Sequence, residues 1–179
     1  MFLSILKKAM PLPKLLKQQK FLFVGPHPDD IEVACGSTVA KLVKMGKQVT
    51  FLVVTDGRVG AVDKSLTEEQ IVAIRQQEAS KSAELLGVSN LIMLPYHDGG
   101  DYDLASVKKD IVSVILQTQP DVVTLRWIPH HRNNTYLYTL KLLKKTENSN
   151  KIYCRTRHRL SFEMLCIQTN KSHYFSSGL

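Results

Sequence analysis

Four consecutive residues, His27-Pro28-Asp29-Asp30, bring an imidazole and two carboxylates together. A histidine and a carboxylate three positions apart across a turn can ligate one cation. The expected bonds are an imidazole nitrogen at about 2.0–2.1 Å and a carboxylate oxygen at about 2.0–2.2 Å. Asp29, between them, need not bind the ion and is placed to take a proton from a polarised water, the general-base role. Pro28 narrows the conformations of the turn, so less entropy is lost in forming the site. The plainer alternative is a turn in which Asp29 or Asp30 caps the helix that follows.

The elements that must position these groups can be read from periodicity. Residues 20–25 form a short apolar run ending in Gly-Pro, and residues 48–55 are rich in β-branched side chains, so both read as buried strands. Residues 34–45 read as a helix with Val39, Leu42 and Val43 on one face and Gly46 as its stop. Thr67-Glu68-Glu69-Gln70 matches a capping box. It predicts a helix to about Leu86, with Ile71, Ile74 and Ala83 inward and Gly87 at its end. Leu91–Leu94 reads as a third strand, Leu104 to Ile115 as a helix, Asp121–Leu125 as a fourth strand and Thr135–Lys145 as a further helix. The pattern fails over 146–179, apart from an apolar stretch near Phe162–Ile167.

Strand and helix thus alternate four times, which predicts a mostly parallel sheet covered by helices. In such a sheet ligands bind beyond the carboxyl ends of the strands. The loops expected there are Pro26–Val33, Asp56–Ser65, Pro95–Asp103 and Arg126–Asn134. They hold four of the six histidines, which packing alone does not explain.

Composition bounds the function. The chain has 179 residues, favouring one domain, and a net charge of +8 that attracts anions. The basic residues are scattered except at Lys7–Lys20 and Lys141–Arg159, and no nucleic-acid motif accompanies them, so no nucleic-acid partner is expected. GxGxxG and GxxxxGK[ST] motifs are absent, which argues against a nucleotide-binding protein. Cys35, Cys154 and Cys166 form no CxxC pair, fitting a reducing, cytoplasmic compartment. No apolar run reaches the length of a membrane span, and residues 1–19 read as a basic amphipathic segment rather than a secretory signal. Self-association into a homo-oligomer is left open.

The stretch from His27 through Ile31-Glu32-Val33-Ala34-Cys35-Gly36-Ser37 to Thr38 resembles the opening motif of the LmbE-like (PIG-L) zinc-dependent deacetylases. The resemblance continues at Thr55-Asp56-Gly57-Arg58-Val59-Gly60, through Arg75-Gln76-Gln77-Glu78 to Leu86-Gly87-Val88, and at Asp98-Gly99-Gly100. It implies a Rossmann-like three-layer α/β/α domain over 20–145, with 146–179 an atypical tail, truncated or divergent. It also implies hydrolysis of a linear acetamide on an N-acetylglucosamine conjugate. His27 and Asp30 would bind zinc, with iron or another divalent ion as a substitute, and Asp29 would be the general base. Arg58 and Asp98 would contact the small-molecule amino sugar. Glu32 would support the ligands or cap the helix, and Arg75 and Glu78, one helical turn apart, read equally well as an ion pair.

The third ligand would come from a late segment. Aligned on its proline, Ile128-Pro129-His130-His131 makes His131 that ligand, with His130 in place of the usual acidic residue as a supporting group. Ile128 stands where the family has a histidine that can stabilise the oxyanion. That departure supports an alternative: a catalytically impaired or non-catalytic binding protein on the same fold.

Overall fold

The computed structural model of the chain describes residues 15–60, 63, 65–127, 154–157 and 163–168. After a single 3₁₀ turn at Leu15–Lys17, the elements are β1 (Lys20–Gly25), α1 (Asp30–Lys44), β2 (Gln48–Thr55), α2 (Glu68–Leu86), β3 (Asn90–Tyr96), α3 (Leu104–Thr118), β4 (Val122–Trp127), β5 (Cys154–Arg157) and β6 (Glu163–Gln168). A second 3₁₀ turn, Arg58–Gly60, lies between β2 and α2.

The sheet order is β3-β2-β1-β4-β6-β5. The first four strands are parallel, with Phe21 opposite Val49 on one side and Val122 on the other. β6 runs antiparallel to both β4 and β5. Part of the segment that periodicity left unassigned therefore extends the sheet. The sheet remains mostly parallel, as expected.

Strand alternation divides the core in two. Leu22, Val24, Leu52, Val54 and Val123 face α3, which buries Val107, Ile111, Val114 and Ile115 against them. Phe21, Phe23, Val49, Phe51 and Val53 face α1 and α2, which bury Ile31, Cys35, Val39, Leu42 and Ala83. Each such aliphatic or aromatic side chain contributes about 1.5–3 kcal/mol by leaving water. The result is the three-layer α/β/α arrangement expected from the sequence.

Two local expectations need correction. The first helix begins at Asp30, not at residue 34, and its regular geometry breaks at Cys35, where φ is −152° and ψ 19°. The periodic pattern caught only the portion beyond that break. On α2, Ile71 and Ala83 are buried but Ile74 is 42% exposed, because this helix lays a narrow stripe on the sheet. The capping box is present in full: Gln70 N donates to Thr67 Oγ1 at 3.3 Å and Thr67 N to Gln70 Oε1 at 2.9 Å. Gly87 ends α2 at a φ of 69°. The expected helix over 135–145, the segment before Leu15, and His130 and His131 lie outside the described residues.

Chain order reverses between β1 and β4, since β1 has β2 on one side and β4 on the other. The crevice at such a reversal is where open α/β sheets bind ligands. The His27 loop leaves β1 there.

Candidate active site

Gly25 lets α1 start close to the sheet. A side chain there would lie 2.9 Å from Ile31 Cγ1 and 3.2 Å from Asp30 Cβ. Pro26 O accepts hydrogen bonds from Thr55 N at 2.8 Å and Thr55 Oγ1 at 2.7 Å, fastening the first loop to the end of β2. The chain then turns back on itself. His27 N donates to Asp30 Oδ2 at 3.1 Å, and His27 Nδ1 lies 3.0 Å from the same oxygen. Asp30 is buried, whereas the His27 side chain is 30% exposed.

Asp29 is treated differently. It occupies the N-cap position of α1 with φ 102° and ψ −24°, yet its side chain makes no capping hydrogen bond. The capping alternative for this residue therefore does not hold. A non-glycine residue in that region carries about 1–3 kcal/mol of strain, which the surrounding structure must offset. The carboxylate is 58% exposed, and Arg75 Nη1 from α2 approaches its Oδ2 at 3.7 Å. Arg75 also pairs with Glu78 at 3.2 Å and donates to Gly60 O at 3.2 Å. The ion pair expected within α2 exists, and the same arginine reaches two loops.

The second loop is built around Asp56. Its Oδ2 accepts from Arg58 Nε at 2.9 Å and Nη2 at 2.7 Å, and its Oδ1 accepts from Arg58 N at 3.2 Å and Asp98 N at 3.0 Å. Burial pushes the Asp56 carboxyl up, but the Arg58 guanidinium and the two backbone N–H groups outweigh it, so the group sits below the usual carboxylate range. The Asp56 carboxylate beside it, with Glu68 adding to it, raises Arg58 in turn. Arg58 Nη1 donates to Glu68 Oε2 at 2.8 Å. Gly57, at φ 70°, passes so close to the first loop that a side chain would lie 2.9 Å from Pro28 Cδ.

The third loop follows β3. Asp56 N donates to Tyr96 O at 2.9 Å, and Tyr96 OH donates to Asp110 Oδ2 at 2.6 Å. Burial first, and then the Asp110 carboxylate, push the Tyr96 hydroxyl up to about 12, so it stays a donor. Asp103 caps α3 through Ala105 N and Ser106 N. Between these anchors Asp98 turns inward, and its Oδ1 lies 3.1 Å from His27 Nε2.

Of the residues singled out from sequence, His27, Asp30 and Asp98 are in direct contact, and Asp56 joins Arg58 to Asp98. Glu32 is half-buried in the first turn of α1, and its side chain makes no hydrogen bond to another described residue. Among the described residues no three His, Cys, Asp or Glu side chains form a complete metal-binding group. Asp30 and Asp98 address opposite nitrogens of one ring, so they cannot share an ion through it. Sequence reasoning gave Asp56 no role; its signal is an acidic residue directly after a buried strand and two positions before an arginine. It also missed the reach of Arg75 to Asp29.

Comparison with known proteins identifies relatives of the chain. A family model described as PIG-L, GlcNAc-PI de-N-acetylase, matches residues 22–134. Diacetylchitobiose deacetylase of Thermococcus kodakarensis is 35% identical over 129 residues, covering 66% of this chain and 47% of that protein. The structure of N,N'-diacetylchitobiose deacetylase from Pyrococcus horikoshii, complexed with an inhibitor, matches at 31% identity and a TM-score of 0.68. That match covers 83% of this chain and 59% of that one. GalB, a 4-carboxy-2-hydroxymuconate hydratase from Pseudomonas putida, shares the fold at a TM-score of 0.65 and 17% identity, covering 79% and 67%. The chain spans about half the length of the curated relatives it matches. Since the family match takes in more than half of the sequence and contains every described loop of the site, the chain belongs to the PIG-L (LmbE-like) family.

Proposed function

We propose that this chain carries the active site of a metal-dependent N-deacetylase, which cleaves the linear acetamide of an N-acetylglucosamine conjugate. The observation that carries the reading is the separation of roles within one turn. His27 Nδ1 and Asp30 Oδ2 lie 3.0 Å apart, while the Asp29 carboxylate is 58% exposed and has Arg75 Nη1 3.7 Å from its Oδ2. Two donors bound to one ion at about 2.0–2.2 Å each are separated by roughly 3–3.5 Å, so this pair fits a shared divalent cation. His131 is the third ligand in this reading. It lies four residues beyond Trp127, within a chain reach of about 14 Å of the end of β4, beside β1. Zinc suits a two-nitrogen, one-carboxylate set, and iron can replace it.

Such an ion, when bound, polarises a water molecule and the acyl oxygen. The protein's own groups do the rest. Asp29 removes a proton from the attacking water and returns it to the departing amine, so water adds to the carbonyl carbon, the C–N bond breaks, and acetate and a free amine result. Arg58, held by Asp56 and Glu68, retains N–H groups for a sugar hydroxyl or phosphate. Asp98 contacts the sugar from the third loop. A reducing, cytoplasmic setting belongs to the same reading, supported by three cysteines that form no CxxC pair. No helix among the described residues is long and apolar enough to cross a membrane.

The test is acetate release from N-acetylglucosamine glycosides, before and after chelation and after zinc is restored. Release that chelation abolishes and zinc recovers is the expected result. Release indifferent to chelation overturns the mechanism. Zinc binding without any release favours the non-catalytic reading, for which Ile128 in place of a histidine is the supporting observation.

A further inference from the structure

The contact between His27 and Asp98 joins residues 71 positions apart in the sequence, and it falls on the ring nitrogen that Asp30 does not address. We propose that Asp98 is a positioning residue: its carboxylate fixes the orientation and tautomer of His27, so that Nδ1 presents its lone pair beside Asp30. The inference rests on the metal-site reading above and adds a second task to a residue so far assigned only to substrate.

The chemistry follows from the imidazole. A neutral ring has one N–H and one lone pair, and only the lone pair binds a cation. An N–H at Nε2 meets a carboxylate oxygen 3.1 Å away, which is a charge-assisted hydrogen bond. Nδ1 lies 3.0 Å from Asp30 Oδ2 and Nε2 3.1 Å from Asp98 Oδ1, so either carboxylate can accept the single N–H, and a cation shared by Nδ1 and Asp30 would leave it at Nε2. Asp98 then receives that N–H and holds the ring with Nδ1 toward Asp30, the arrangement in which an outer carboxylate raises the basicity of a ligating histidine.

Asp98 can do this only because it is itself fixed. Its backbone N–H donates to Asp56 Oδ1 at 3.0 Å, and Asp56 is locked by Arg58 and by its own N–H to Tyr96 O. The Asp98 side chain is 17% exposed, more sheltered than the ring it holds. The ends of β1, β2 and β3 are thereby joined through one chain of hydrogen bonds that terminates on His27.

The experiment uses the full chain, stripped of metal and titrated with zinc against a competing chelator, as wild type, Asp98→Ala and Asp98→Asn. Loss of an outer partner of this kind weakens metal binding about 10- to 100-fold, which is expected for Asp98→Ala. Asp98→Asn keeps an oxygen acceptor and should lose less, under about tenfold. In the zinc-loaded, ¹⁵N-histidine-labelled chain, the Nε2 proton of His27 should be retained in wild type and Asp98→Asn and lost or exchange-broadened in Asp98→Ala. Equal affinity and an unchanged Nε2 proton in Asp98→Ala overturn the proposal and leave the metal reading intact. A wild type that binds no zinc removes the metal reading itself. If Asp98→Ala does not fold, Asp98→Asn decides: weakened binding with the Nε2 proton kept supports the role, and wild-type affinity overturns it.

Discussion

The first two loops leave neighbouring parallel strands side by side, and each carries an aspartate, but the two carboxylates are handled in opposite ways. Asp56 is nearly buried, receives two hydrogen bonds at each oxygen and is neutralised by Arg58. Asp29 is mostly exposed, sits in a left-handed conformation and has one cation 3.7 Å away. A carboxylate saturated with hydrogen bonds is stabilised in its charged form and cannot readily accept another proton. One exposed at the surface leaves its oxygens open to a water molecule. Under the proposed function, the second loop is framework and the first carries proton transfer.

The comparison breaks most visibly at Asp29. Asn tolerates the left-handed region, so Asp29→Asn should keep the fold while lowering the rate of acetate release about 10²- to 10⁴-fold, the contribution of a general base. Zinc affinity and the denaturation midpoint should change little. A variant that retains activity would place the base elsewhere.

The mirror experiment is Asp56→Ala. It leaves Arg58 and the Asp98 N–H without their partner, and it should cost about 2–3 kcal/mol in denaturant unfolding. A loss under about 0.5 kcal/mol would show that the second loop is not framework. Gly57→Ala tests how the two loops meet. Its positive φ alone costs about 1–2 kcal/mol, and the new Cβ presses on Pro28, so stability and acetate release should fall together.

A pH series sharpens the same point. Asp56 is lowered in the folded chain, so its contribution to stability is present above the unfolded value of about 3.9 and is lost as pH falls through the lower folded value. The unfolding free energy should decline on acidification below about pH 4, and Asp56→Asn should flatten that decline. The smallest effect belongs to Glu68→Gln, at an ion pair whose acidic partner is 64% exposed. Less than about 1 kcal/mol is expected there.

What the sequence made legible was local. The apolar runs of β1 and β2, the capping box at Thr67 and the stop at Gly87 all rest on interactions between residues a few positions apart, and the structure agrees with each. The start of α1 was misplaced because Asp30 belongs to the turn and the helix together, and the break at Cys35 hides the first turn from any periodic count. Ile74 was misassigned because helical spacing gives a face but not its width. The pairing of β6 with β4, about forty residues away in the chain, leaves no periodic trace. Within the site, the contact between His27 and Asp30 was readable from their order. The union of His27 with Asp98 and the hub at Asp56 were not, because they depend on three strand ends meeting.

The central claim is that His27 and Asp30 hold one divalent ion beside an exposed Asp29. The direct measurement is zinc bound per chain at a buffered free-zinc concentration, for wild type and for His27→Gln. The account expects about one ion per wild-type chain and a clear loss of binding in the variant. A wild type without zinc, or a variant that binds it equally well, would contradict it.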